Sequence, residues 1–192
     1  MKILFSIVLG YFFGGLPVAY IIGKLQKGID LRKVGSGNLG ATNVLRNLGV
    51  FSFILCVIFD VGKAYFAFKL AQRFFGDVYG PISGFATVLG HCYSPFMNFK
   101  GGKGVATSGG LILAYDWRIF LIATLFLFAL LLITRRMSIG SIGSAIIFPI
   151  LYYYYYGFDL FIIGAIILSG FVIFMHRENI SRIIKGTEPK LF

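Results

Sequence analysis

Negative charge is nearly missing from this chain. Its 192 residues include seven Asp and Glu against eighteen Lys and Arg, and charged residues of both signs make up only 13%. So thin a polar complement excludes an ordinary water-soluble domain. Cysteine is scarce too. Cys56 and Cys92 fall in or beside apolar segments and read as small core residues, with neither a disulfide framework nor a metal site implied. No P-loop is present: Lys103 is followed by Gly104 rather than Ser or Thr, and no glycine stands five residues before Gly102. Nucleotide hydrolysis therefore gains no support, and no cofactor, metal or nucleic-acid partner is expected.

Apolar side chains are what the sequence has in excess. They make up 58% of it, with a mean hydropathy of +0.86. Apolar windows run at 3–23, 50–72, 79–98, 105–115, 119–134, 139–156 and 160–175. Several approach the length that spans a bilayer as helix. The expected fold is an all-α, polytopic membrane protein of about seven transmembrane helices, one or more of them short or broken, forming a single domain over 1–192. The first window is too long for a usual signal-peptide core, contains Pro17 and leads to no small-residue cleavage site, so it reads as a retained helix. Window 105–115 covers only about 16 Å as helix, half a hydrocarbon core.

Charge placement predicts the orientation. With seven crossings, one face receives 24–49, 99–104, 135–138 and 176–192. These carry thirteen cations (Lys24, Lys27, Arg32, Lys33, Arg46, Lys100, Lys103, Arg135, Arg136, Arg177, Arg182, Lys185 and Lys190) against Asp30, Glu178 and Glu188. That face is cytoplasmic by the positive-inside rule, which puts the N-terminus outside and the C-terminus in the cytoplasm. Tyr152 to Tyr156 fall at the opposite face, where an aromatic belt is expected. Five longer spans, merging 104–134 and 139–175, keep the same polar face. Arg135 and Arg136 weigh for seven, because without the crossing at 105–115 they would face outside.

Three polar segments then share the cytoplasmic side. The first, 32–49, holds Gly35, Gly37 and Gly40 around Ser36 and Asn38. From Ala41 the stretch can be helical, which sets 36–40 at a helix N-terminus suited to phosphate. Arg46 can fold back as a bidentate clamp. A solvated loop with Ser36 and Asn38 as caps fits the same residues. The second, 91–107, holds Lys100, Gly101, Gly102, Lys103 and Gly104, the composition of an anion cradle at the start of a helix. His91 lies near the end of its span, where a packed histidine and a functional one both fit. In the third, 176–190, His176, Asn179 and Arg182 share a helical face. Asp60 and Lys63, three residues apart within an apolar window, neutralise each other and read first as a structural tie, although intramembrane charge is often functional. These residues point to a membrane enzyme or a carrier of phosphorylated ligands.

Taken together, the motifs resemble those of the bacterial acyl-phosphate:glycerol-3-phosphate acyltransferases, the PlsY type. The resemblance rests on GSGNLGATNVLR from Gly35 to Arg46, on Gly90, His91, Pro95 and FKGGKGVAT from Phe99 to Thr107, and on His176, Asn179, Ile180, Arg182 and Glu188. The pair Asp60 and Lys63 also fits. The likeness covers essentially the whole chain, and its first two motifs are the most specific.

The resemblance implies acyl transfer from a fatty acyl phosphate to the sn-1 hydroxyl of glycerol 3-phosphate, giving lysophosphatidate and phosphate. This is the first acylation of phospholipid synthesis, at the cytoplasmic face of the bacterial inner membrane. It also implies enzymes upstream that form acyl phosphate and downstream that acylate the product again. Ser36, Arg46, Lys103, His176 and Asn179 are the catalytic candidates. Gly35, Gly37, Asn38, Gly40, Thr42, Asn43, His91, Lys100, Gly101, Gly102, Gly104, Thr107, Ser141 and Arg182 are the binding candidates.

Ser36 and its glycines with Asn38 are expected at the acyl-phosphate head, Arg46 and Lys103 on phosphate charge, and the backbone of 101–104 around glycerol phosphate. His176 oriented by Asn179 is one route for the hydroxyl proton. A phosphate oxygen of the substrate is another, and Ser36 as a covalent nucleophile ranks last, since nothing adjacent activates it. The His-x-x-x-x-Asp pair of thioester-using acyltransferases is absent, because Phe96 and Ser181 stand at that spacing from the two histidines. A transporter of a phosphorylated metabolite is the rival reading, weakened by motifs that gather on one face rather than at the midplane.

Overall fold

The computed structural model of the protein describes residues Met1–Phe192 and is entirely helical. In order, the helices are α1 (Lys2–Gly15), α2 (Val18–Lys27), α3 (Ala41–Leu48), α4 (Val50–Phe75), α5 (Tyr79–Cys92), α6 (Val105–Tyr115), α7 (Trp117–Thr134), α8 (Met137–Tyr156), α9 (Leu160–Met175) and α10 (Arg177–Ile184), with a 3₁₀ turn at Pro95–Met97.

Every apolar window is helical. Four stretches are long and apolar enough to cross a membrane: Lys2–Lys27, Val50–Phe75, Trp117–Thr134 and Met137–Tyr156. A fifth, Leu160–Met175, meets Arg177–Ile184 at a bend of 59°. Window 79–98 is shorter as helix than its apolar run. The chain turns out of α5 because Pro95 disfavours helical backbone at Ser94, which is extended at φ −64° and ψ 123°.

The chain forms two compact units, Met1–Tyr115 and Asp116–Phe192. In the first, α1 packs on α5 through small residues. A Cβ added at Gly10 or Gly14 would run into the backbone carbonyls of Ser83 and Thr87, and one at Gly90 into that of Tyr11. Such close approach is how helices associate in lipid, where burial of apolar surface gives no net drive. α4 packs against α5 and α6. Ser83 Oγ donates to the Ala67 carbonyl across the first contact (3.1 Å), and Gly110 lies against the Val61 carbonyl in the second. Cys56 and Cys92 are buried free thiols.

In the second unit α7, α8 and α9 pack in sequence. Asp116 and Asp159 cap the starts of α7 and α9, accepting from the N–H groups of Arg118 (2.7 Å) and Ile162 (3.0 Å). The tyrosine run at the end of α8 divides its labour. Tyr156 donates its hydroxyl to Asp116 (2.7 Å) and Tyr152 to Asp159 (3.0 Å), tying the helix ends together, whereas Tyr153 and Tyr154 are exposed.

Candidate active site

The first glycine-rich segment is wound around one side chain. Asn43, in the first turn of α3 and 2% exposed, donates Nδ2–H to the carbonyls of Leu31 (3.1 Å), Val34 (3.2 Å) and Asn38 (3.0 Å). Its Oδ1 accepts from the Ser36 N–H (3.1 Å) and from Asn47 Nδ2 (3.0 Å). Gly35, at φ +60°, passes so close to Asn43 Oδ1 that no Cβ would fit. The helix is capped by Gly40 in extended backbone, not by the Ser36 or Asn38 side chain.

The second segment folds onto the first. Leu39 N–H donates to the Gly101 carbonyl (3.2 Å), and a Cβ on Gly40 would come within 3.9 Å of Gly102 Cα. The starts of α3 and α6 are thereby brought to one place, because Leu39 and Gly101 precede them by only a few residues. Gly104 turns the chain into α6 at φ +82°, pressed against Val88 and Cys92, and its carbonyl accepts the Ser108 N–H (2.7 Å). Two helix N-termini lie side by side, each with unsatisfied first-turn N–H groups at Ala41 and Thr42 and at Val105 and Ala106, an arrangement of donors with the chemistry to attract an anion.

Around this junction some predicted residues are open and others are spent. Ser36, Lys100 and Arg46 are exposed, and neither Ser36 Oγ nor the Arg46 guanidinium has a protein partner. Three expectations change. Asn43 has its hydrogen-bonding capacity used by the loop and is an organiser of it, not a free ligand. Thr107 is fully buried and bonds its hydroxyl back to the Gly104 carbonyl (3.0 Å), so it stiffens the start of α6. The backbone of 101–104 is also not a uniform cradle. The Gly102 N–H turns inward to the His91 carbonyl (3.1 Å), which leaves anion donation to the helix starts.

The second unit has its own polar cluster, centred on Glu188. Ser138 Oγ and Asn179 Nδ2 both donate to Glu188 Oε1 at 2.7 Å, and Arg182 Nε donates to Oε2 at 2.8 Å. Arg136 Nε donates to the Glu188 backbone carbonyl (3.1 Å). Burial pushes the Glu188 carboxyl up, but hydrogen bonds from Ser138, Asn179 and Arg182 and the guanidinium charge outweigh it and hold it below the usual glutamate value. Asn179 and Arg182 do share a face, and what they converge on is this carboxylate. Sequence reasoning noted Glu188 only as part of a motif. The available signal was one of only two acids, with Glu178, in a cationic tail.

His176, at the bend between α9 and α10, is buried and donates Nδ1–H to the Val172 carbonyl (2.8 Å). In the neutral ring this fixes the basic lone pair on Nε2. Ser141 is buried and bonds its hydroxyl to the Met137 carbonyl (2.9 Å).

Known proteins match this architecture over its full length. The family model for glycerol-3-phosphate acyltransferase matches residues 4–186. A glycerol-3-phosphate acyltransferase of Thermosipho melanesiensis is 45% identical, covering 99% of this chain and 93% of its own length. A glycerol-3-phosphate acyltransferase 2 of Bacillus cereus is 42% identical, over 95% of this chain and 92% of its own. Among solved structures, PlsY (YgiH), an integral membrane glycerol 3-phosphate acyltransferase, superposes in its glycerol 3-phosphate form with a TM-score of 0.91. It is 37% identical and covers 99% of this chain and 96% of its own. Its lysophosphatidic acid form gives 0.90 at 35% identity, covering 99% of this chain and 95% of its own. An all-helical, multi-pass membrane protein with these motifs and these relatives belongs to the glycerol-3-phosphate acyltransferase family.

Proposed function

We propose that this protein acylates the sn-1 hydroxyl of glycerol 3-phosphate, taking the acyl group from a fatty acyl phosphate and releasing lysophosphatidate and phosphate. The observation that carries this reading is the hydrogen bond from Leu39 to Gly101, which draws two glycine-rich helix starts into one anion site. Both substrates are phosphates, and a reaction between two phosphate-bearing molecules needs that concentration of donors. Relatives named for this activity, and solved relatives in glycerol 3-phosphate and lysophosphatidic acid forms, support the same acceptor and product.

In this reading Ser36, Asn38 and the glycines 35, 37 and 40 receive the acyl-phosphate head, and Arg46 and Lys103 balance charge on the phosphates. Thr42, Lys100, Gly101 and Gly104 belong to the same binding group; Asn43, Thr107 and Gly102 hold its shape. The glycerol hydroxyl oxygen attacks the acyl carbonyl carbon, the bond from that carbon to the bridging phosphate oxygen breaks, and the electron pair leaves on phosphate. The hydroxyl proton goes to His176 Nε2 or to a phosphate oxygen. A mixed anhydride is already activated, so orientation and charge stabilisation supply most of the rate. Asn179 and Arg182, through Glu188, hold the segment that carries His176, and Ser141 lies on the adjoining helix.

The family match runs across both compact units, which supports one functional module over 1–192. Counting α5 and α6 as crossings gives seven, with the N-terminus outside and the cation-rich loops at the cytoplasmic face of a bacterial inner membrane. Enzymes that make acyl phosphate and that consume lysophosphatidate are the metabolic neighbours this chemistry requires.

Purified protein in detergent, given labelled glycerol 3-phosphate with palmitoyl phosphate or palmitoyl-CoA in parallel, tests the reading. Lysophosphatidate from acyl phosphate alone is expected. Product from palmitoyl-CoA instead would overturn the donor. No product from either donor, with substrate uptake in sealed vesicles, would replace the enzyme by a transporter.

A further inference from the structure

Inside the first unit, the glycine-rich segment 101–104 rests on a chain of buried polar groups that the reaction does not use. Asp60 and Lys63, on α4, are 2% and 7% exposed, and His91, near the end of α5, is 8% exposed. Lys63 Nζ lies 2.7 Å from Asp60 Oδ1, 2.9 Å from His91 Nδ1 and 3.3 Å from the Leu16 carbonyl at the break between α1 and α2. The His91 ring nitrogen and the Leu16 carbonyl are hydrogen-bonded to the ammonium, and Asp60 pairs with it by charge. Asp60 Oδ2 also accepts from the Cys56 thiol (3.6 Å). His91 Nδ1 stands 3.5 Å from Asp60 Oδ1, too far for the carboxylate to compete with the ammonium.

This geometry fixes the imidazole. Because Lys63 donates to Nδ1, that nitrogen is the acceptor and Nε2 carries the ring hydrogen. Nε2 has no protein partner and is aimed at Gly102, where an added Cβ would collide with Nε2, Cε1 and Cδ2. The same residue grips Gly102 through its backbone, since the Gly102 N–H donates to the His91 carbonyl (3.1 Å). A Cβ on Gly101 would strike that carbonyl too. The loop thus lies on His91, and His91 is held by Lys63.

We propose that Asp60, Lys63 and His91 form an intramembrane positioning relay that sets the seat of the Gly101 and Gly102 backbone, and through it the affinity of the anion site for glycerol 3-phosphate. A self-neutralising pair alone would need only its own two members. Here the ammonium reaches across to a second helix, orients a ring and reaches the α1/α2 break. Buried charges of this kind are costly in a membrane, and geometry that specific is what they can contribute in return. The relay acts through the loop without touching the reacting atoms, so it governs binding more than the chemical step. It rests on the reading of 101–104 as part of the phosphate site.

Steady-state kinetics on purified protein, at saturating acyl phosphate, separate these roles. Asp60→Asn with Lys63→Met removes the donor to His91 without leaving a buried charge unpaired. Its KM for glycerol 3-phosphate is expected to rise about tenfold, the worth of one hydrogen bond, with kcat largely kept. Asp60→Asn with Lys63→Gln restores a neutral donor and is expected to return KM to within about threefold of the parent. A parental KM in the methionine pair, or an equal rise in both pairs, overturns the relay.

Should the methionine pair fail to fold on gel filtration, His91→Phe decides. It keeps a ring under Gly102 but offers Lys63 no acceptor, so the same KM rise is expected and an unchanged KM overturns the proposal. Gly102→Ala in the same assay checks the underlying site: an unchanged KM there removes the phosphate reading itself, whatever the relay variants do.

Discussion

The backbone N–H of Leu39 and the carbonyl of Gly101 are 3.2 Å apart, and this one bond joins two segments that lie far apart in the chain, with α4 and α5 between them. Each segment ends in a short polar helix start. Neither start alone would hold a doubly charged phosphate firmly against water. In the proposed function the two starts act together, with Arg46 in the last turn of α3 as the added charge.

Arg46→Ala should lower turnover by about a hundredfold or more, the scale of losing a principal charge stabiliser. The residue is exposed and bonded to nothing in the protein, so the variant should elute from gel filtration as the parent does. Near-normal turnover would remove Arg46 from the phosphate site.

Gly102→Ala should raise the KM for glycerol 3-phosphate more than it lowers kcat. The cause is displacement of the loop by the His91 ring beneath it. Gly28→Ala is the contrast: its site has open space around it, and only the strain of φ +65° is added. Equal KM values in these two variants would argue against the contact.

Asn43→Ala should destabilise the protein by about 1–3 kcal/mol, because it orphans the buried carbonyl of Leu31 and the N–H of Ser36 together. Thermal unfolding in detergent reads this directly. An unchanged midpoint would mean that water replaces every one of these bonds.

Glu188→Gln should cost stability at neutral pH and progressively less in acid. The folded protein holds this carboxyl below its ordinary value of 4.5, so its contribution is complete above that pH. It fades as pH falls through the lower folded value. Unfolding midpoints of parent and variant should therefore draw together as the pH is lowered below 4.5. A constant gap would show that the hydrogen bonds, not the charge, are what matters.

Much of the fold was legible in the residues. Each of the seven apolar windows forms helix, the first broken at Leu16 and Pro17 and the third ending at Cys92; α3 begins at Ala41 and α6 at Val105 as the glycine and apolar patterns required. The end of α5 was not legible, since Ser94 and Pro95 break the helix within an apolar run.

The residue types of the candidate site were legible by composition, and their partners were not. Glycines, lysines and an arginine in two loops are the basis for proposing anion binding. Whether Asn43 meets a substrate or its own loop depends on where the carbonyls of Leu31 and Val34 fall, and no spacing rule gives that. The same holds for Asn179 and Glu188.

The sequence by itself determined the class of molecule, the helical segments and the chemistry of the ligand, since hydropathy, helix-breaking glycine and proline, and charge act locally along the chain. Tertiary structure alone decided which donors remain open to substrate and which are consumed. Hydrogen-bond satisfaction depends on distances and angles between segments far apart in sequence, and those exist only once the helices have packed.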